Sequence, residues 1–399
     1  MPLLTSLLIL IVVARLLGQI FQRFGQPSIV GEMLAGVLLG PSFLNLIHPN
    51  TALSSISEFA VFLVVLSAGL EMNFKDIFNA LCSKGIVIAI LGFVLPLTAG
   101  ILVGAAFQFD VMRTVFLGLC VSITALPVTV RILQNFNLLD SDIARYSVAT
   151  AIFNDVVALL VLGVILNLPA QPSLGAIALS TFGTLWKLVA LGALILGFNW
   201  QVEQMIRRGI HIEKISEKLV ELVGNEALFG ILVLFVLVFG SISEALGFHF
   251  VIGAFFGALL IDRKFFLASR YHELDLTLRS ITEGFLGPVF FAYLGLEFNI
   301  EALKPVGFVL IVLLVSISSK VLAGWLGGLL IQLSQARALG IGIILNGRGV
   351  MELVIASIAY ERGFINQGLF STLVLMGVVT TMMTPLMFRK WIMPRLEEK

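Results

Sequence analysis

Long apolar runs constrain this chain more than any other feature of its sequence. Cut at its charged and Pro/Gly-rich points, the chain divides into thirteen, most of them near the roughly 20 residues that a helix needs to cross a bilayer core of about 30 Å. They fall near 3–22, 27–47, 53–72, 85–107, 111–133, 142–167, 174–202, 224–245, 249–262, 280–298, 305–333, 338–360 and 367–393. With 59% hydrophobic and 12% charged residues, a water-soluble core of this length could not absorb them. An all-α membrane protein of about thirteen spans is expected, forming a single transmembrane domain with no soluble domain left over. Residues 1–18 lack both a basic leading segment and a small-residue cleavage pattern, so they read as a retained first span.

The charges orient the chain. Lys and Arg number 25 against 24 Asp and Glu, a net +1 that points to no nucleic-acid partner. Sorted onto the two sides that the spans imply, eighteen basic loop residues between Arg23 and Lys399 fall on one side, and three, Arg113, Lys304 and Arg362, on the other. This positive-inside asymmetry predicts an outside N-terminus and a cytoplasmic C-terminus in a plasma or inner membrane. Arg15, Lys187, Lys320 and Arg348 stay within the spans.

A short repeat adds architecture. Gly69, Leu70 and Glu71 recur as Gly295, Leu296 and Glu297, an offset of 226, and each triplet closes the third span of a six-span block. The blocks, about 1–167 and 224–393, are separated by one linker span near 174–202, so they enter the membrane in opposite directions. Inverted repeats of this kind place a transport site near the midplane, between discontinuous helices. In the fifth span Pro127 follows Ser122, Ile123, Thr124, Ala125 and Leu126 and removes an amide donor. The same offset carries that stretch to residues 348–353, where Gly347 and Gly349 flank Arg348 and weaken the twelfth span. Two broken helices should therefore face each other, leaving carbonyls and amides that only protein or a watery cavity can satisfy.

Asp155 is the only Asp expected at the centre of a span. A carboxylate at that depth costs about 2.5 to 3.5 kcal/mol on insertion scales. Because the bare charge is penalised there, Asp155 can hold a proton or a monovalent cation but not both favourably; the plainer reading is an acid neutralised by Lys320. Asn154 beside it, and Thr150 one turn earlier, can fix the site without titrating, although a membrane-helix threonine more often bonds its own backbone. Thr124 adds a hydroxyl to the carbonyls freed at the first break, whose shape Ser122 and Pro127 set. Hard oxygens suit a small cation, so Asp155 and Thr124 are its expected ligands. Lys320, preceded by Ser316, Ser318 and Ser319, needs a partner near Asp155 and Asn154, either as competitor for the carboxylate or as a structural tie. Arg348 and Glu352, four apart on one helical face, are expected to neutralise each other and hold the second break, and Glu32 is read as structural.

Other signals are missing. Cys82 and Cys120, and His48, His211, His249 and His272, show no metal-ligand spacing, and there is no phosphate-binding Gly-Lys-Ser/Thr loop. No cofactor and no enzymatic chemistry are expected. Gly253 and Gly257 read as helix packing.

The stretch from Ser122 to Gly163, SITALPVTVRILQNFNLLDSDIARYSVATAIFNDVVALLVLG, resembles the core of monovalent cation:proton antiporters of the Kef and plant cation/proton-exchanger type. Supporting pieces are GEMLAGVLLGP at 31–41, Gly69 to Glu71, GPVFFAYLGLE at 287–297, Lys320 and GRGVME at 347–352. The resemblance covers nearly the whole chain. It implies crossed broken helices in a core domain that moves against a dimerisation domain, and hence a homodimer. It also implies exchange of cation for proton by alternating access, with Asp155 as carrier and Lys320 as its competing base. Many such relatives place two acids where this chain has Asn154 and Asp155; the asparagine leans toward one-for-one exchange, while Lys320 is more typical of the two-acid pattern. The nucleotide-binding domain of Kef-type relatives has no counterpart here. A Na⁺/H⁺ or K⁺/H⁺ antiporter is thus expected. The alternatives are a sodium-coupled solute symporter on the same framework and a non-transporting membrane subunit.

Overall fold

The computed structural model describes residues 2–70, 84–167, 174–208, 225–261, 265–266 and 268–397, and among these all regular structure is helical. The helices are α1 Leu3–Arg23, α2 Ser28–Leu39, α3 Thr51–Leu70, α4 Ile86–Ala106, α5 Val111–Ser122, α6 Leu126–Asn135, α7 Asp142–Leu166, α8 Leu174–Arg207 and α9 Asn225–Ala245. They continue with α10 Phe250–Leu259, α11 Ala268–Ile281, α12 Gly287–Glu297, α13 Val306–Leu330, α14 Gln335–Ile344, α15 Val350–Glu361, α16 Gln367–Trp391 and α17 Met393–Glu397. Eight of the described stretches are long and apolar enough to cross a membrane, counting α5 and α6 as one.

Several expected spans need correcting. The runs at 27–47 and 249–262 are helical only over Ser28–Leu39 and Phe250–Leu259, too short to cross alone. Gly40 ends the first, with its amide bonded back to Gly36 O at 2.8 Å. The run at 280–298 opens on the last residues of α11 and a π turn over Thr282–Leu286 before α12 begins; α11, with sequence ASRYHELDLTLRSI, is too polar for a hydropathy cut to detect. Glu71, Cys82 and His211 lie outside the described residues.

The chain divides into two compact units. One comprises Met1–Phe59, Lys75–Ala158 and Gly287–Lys399, the other Ala60–Phe74 and Leu159–Leu286. In the first unit α4 packs on α5, and α13 on α14, through glycines. A Cβ built on Gly100 would lie 2.7 Å from Gly118 Cα, and one on Gly324 would lie 2.4 Å from Gly342 Cα. Gly104 meets Thr114 and Gly328 meets Ala338 in the same way. No side chain fits at such contacts, so the backbones touch directly.

Every member of the second set lies 224 residues after its counterpart in the first. Elsewhere the spacing differs: Gly31 against Leu17 O recurs as Gly253 against Phe239 O, 222 residues on. The offset of 226 read from the Gly-Leu-Glu triplet therefore holds for the third span only, because connecting segments differ in length between the two halves. At 224, Thr124 corresponds to Arg348 and the stretch 122–127 to residues 346–351, two residues earlier than the triplet places it. The site lies within the first unit.

Candidate functional site

The fifth and twelfth expected spans are both interrupted. Helix α5 ends at Ser122, the chain runs extended through Ile123 and Ala125, and α6 restarts with Pro127 in its first turn, where the missing amide loses no helical bond. Helix α14 ends at Ile344 and α15 starts at Val350, after the extended Gly349. The two breaks touch, with Ala125 N donating to Gly347 O at 2.9 Å.

Each break caps the other's helix end. The Thr124 hydroxyl donates to Leu345 O at 3.0 Å, just beyond the last turn of α14. Arg348 Nη1 donates to Cys120 O at 2.6 Å and Ile123 O at 2.8 Å, and Nη2 to Val121 O at 2.7 Å, all at the end of α5. These are carbonyls a helix terminus leaves unpaired. They sit at the negative end of the helix dipole, where a guanidinium is favoured. Thr381 of α16 fixes the Arg348 backbone from both sides, accepting from its N and donating to its O, each at 3.0 Å.

Lys320 reaches the first break from α13. Its ammonium donates to Gly92 O at 3.0 Å, to Thr124 Oγ1 at 2.7 Å and to Ser122 O. From α7, Asn154 Nδ2 donates to Thr124 Oγ1 at 3.3 Å and Ser122 O at 3.4 Å. Beside it Asp155 is 2% exposed, and Asp155 Oδ1 and Asn154 Oδ1 are both buried without a hydrogen-bond partner. Two cations, Lys320 and Arg348, and two acids, Asp155 and Glu352, are thus buried around the crossing.

Three expectations change, and a fourth holds in part. Lys320 does not ion-pair with Asp155, because its ammonium is directed at carbonyls and a hydroxyl of the break. Thr124 Oγ1 is already engaged: it accepts from Lys320 and Asn154, and its proton goes to Leu345 O. Arg348 and Glu352 do pair, Nε to Oε2 at 3.8 Å with both side chains buried, but Arg348 precedes α15 instead of sharing a helical face with Glu352. Glu352 instead lies in the first turn of α15, at the positive end of that helix. Thr150 does not bond its own backbone, since its buried hydroxyl has no partner. Ser122 contributes its carbonyl, while its hydroxyl turns back to Leu119 O at 2.7 Å. Glu32 is buried in α2 close to Gly18.

The sequence reading missed Gly92, Leu345 and Thr381. The first two act through backbone carbonyls, which side-chain types do not reveal. Thr381 shows only as one of several threonines in α16.

Residues 7–392 match the family described as Sodium/hydrogen exchanger, transmembrane. The chain belongs to the sodium/hydrogen exchanger family. This exchanger-family chain is 27% identical to the Na(+)/H(+) antiporter of Enterococcus hirae over 386 residues, covering 96% of the one and 97% of the other. It is 25% identical to the Na(+)/H(+)-K(+) antiporter GerN of Bacillus cereus, covering 94% and 92%. With the Cation/H(+) antiporter 18 of Arabidopsis thaliana it shares 28% identity over 95% of its own length and 47% of the plant protein's. Its fold is similar to that of the sodium proton antiporter MjNhaP1 from Methanocaldococcus jannaschii, with a TM-score of 0.70 at 18% identity, covering 98% and 97%. As a sodium/hydrogen exchanger family member with eight membrane-length apolar stretches, the chain is an integral membrane protein.

Proposed function

We propose that this chain is a secondary-active antiporter exchanging a monovalent cation, Na⁺ or K⁺, for protons by alternating access, with Asp155 visited by each in turn. One observation carries the reading. Asp155 Oδ1 and Asn154 Oδ1 are buried and unpartnered, and Asn154 Nδ2 bonds Ser122 O and Thr124 Oγ1, two of the three oxygens that already hold a cation, the Lys320 ammonium.

Competition in this scheme is for oxygens as well as for charge. A small cation arriving at Asp155 and Asn154 needs further hard ligands. Ser122 O and Thr124 Oγ1 become available as the ammonium withdraws. A proton on Asp155 removes its charge, and with it the main attraction holding the cation at that depth. The names of the Enterococcus hirae and Bacillus cereus relatives support this exchange. The cytoplasmic C-terminus belongs to the same proposal and rests on the basic-residue asymmetry; the homodimer rests on the family resemblance. The cations and protons are substrates, and the scheme requires no cofactor.

The test is cation-dependent dissipation of a pH gradient in proteoliposomes. Asp155→Asn should abolish it for Na⁺ and K⁺ alike, and full activity in that variant would refute the assignment.

A further inference from the structure

One face of α7 carries more unpartnered oxygen than the exchange site uses. Ser147, Thr150 and Asn154 are spaced i, i+3 and i+7, which puts them on one side of the helix, with Asp155 next to the last. All four are buried, and Ser147 Oγ, Thr150 Oγ1, Asn154 Oδ1 and Asp155 Oδ1 each lack a hydrogen-bond partner.

Other helical hydroxyls of this chain turn back onto the carbonyl four residues earlier. Thr98 bonds Val94 O, Ser318 bonds Leu314 O, Thr372 bonds Gly368 O and Thr380 bonds Met376 O, at 2.7 to 2.9 Å. That bond is the ready solution for a hydroxyl in an apolar helix. Ser147 and Thr150 do not make it, so each leaves buried hydrogen-bonding capacity for a small polar guest. At 1.5 Å per residue, Ser147 to Asp155 covers about 12 Å of helix. The strip starts near Asp142, whose pair with Arg337 at 2.8 Å remains half-exposed.

We propose that Ser147 and Thr150 form a second cation station, where a partly dehydrated monovalent cation rests on hydroxyl oxygens between the Asp142 end of α7 and Asp155. The inference rests on the antiporter reading. Neutral hydroxyls replace water ligands without holding the ion as a carboxylate does, and a pathway needs sites weak enough to leave. The basic-residue asymmetry puts this entrance on the cytoplasmic side.

The experiment is exchange in proteoliposomes at graded Na⁺ and K⁺, with Ser147→Ala and Thr150→Val singly and together. Loss of the station should raise the cation KM of the double variant about tenfold. Ser147→Ala alone, two turns from Asp155, should keep the maximal rate and the pH midpoint of exchange, and Thr150→Ser should keep the wild-type KM. A double variant with wild-type KM overturns the proposal. If the wild-type protein moves no cation, the antiporter reading fails instead. Should the double variant not fold, Thr150→Cys in a background of Cys82→Ala and Cys120→Ala decides the question. Labelling by a small thiol reagent that saturating Na⁺ suppresses supports the station; labelling indifferent to Na⁺, or none, overturns it.

Discussion

Replacing Arg348 with methionine separates two accounts of what holds the second break. The guanidinium donates to three carbonyls at the end of α5 at 2.6 to 2.8 Å, while Glu352 Oε2 stands 3.8 Å from Nε, beyond hydrogen-bond reach. A hydrogen bond from a charged donor contributes about 1.5 to 3 kcal/mol, so the three sum to roughly 4.5 to 9. Relaxation of the freed carbonyls brings the net loss toward the about 3 to 5 kcal/mol seen when one member of a buried charged group is removed. Methionine keeps the apolar stem, so little of this is packing. At about 2 °C per kcal/mol for a chain of this size, Tm should fall by roughly 6 to 10 °C. Glu352→Gln keeps the shape and removes a charge that accepts no hydrogen bond, so its Tm should move by about 3 °C or less. Thermal unfolding in detergent, followed by the fluorescence of the four tryptophans, measures both. If Glu352→Gln destabilises as much as Arg348→Met, the ion pair holds the break and the carbonyl argument is wrong.

Other variants address other contacts. Lys320→Met strips two bonds from the first break and one from Gly92 O of α4, and should lower stability by about 3 to 5 kcal/mol. It should also raise apparent Na⁺ affinity, because the oxygens beside Asp155 are vacated; an unchanged Na⁺ KM would exclude competition for them. Thr381→Val loses both bonds to the Arg348 backbone and should lower Tm by a few degrees, about 1 to 3 kcal/mol, while Thr381→Ser retains them. Gly324→Leu drives a side chain into Gly342 and should yield no monodisperse protein on size exclusion, whereas Gly183→Ala, with nothing within 4 Å, should elute as wild type.

The sequence shows the apolar spans, the two interruptions and Asp155 because each departs sharply from a long apolar background. Pro127 and the Gly347 to Gly349 segment mark the breaks through backbone chemistry that acts locally. The bonding within the site is harder to read. Lys320 was matched to Asp155 by charge, yet its ammonium finds three closer oxygens, two of them backbone carbonyls that only the folded chain brings together. Helical spacing pairs Arg348 with Glu352, and they do meet at 3.8 Å, but it presumes a continuous helix and so misses the three carbonyls that the guanidinium binds. The triplet offset of 226 gave the right architecture but the wrong residue opposite Thr124, since one local match cannot sense loops that lengthen and shorten along the repeat.

The contacts of Gly100 with Gly118 and of Gly324 with Gly342 bear on how such a molecule moves. Backbones in direct touch have no side chains to slide past one another, so α4 with α5, and α13 with α14, are locked pairs. Lys320 Nζ bridges α4, through Gly92, to the end of α5, and so ties the pairs together. Whatever displacement changes the side from which Asp155 is reached must carry this block whole, and the bending belongs at its margins.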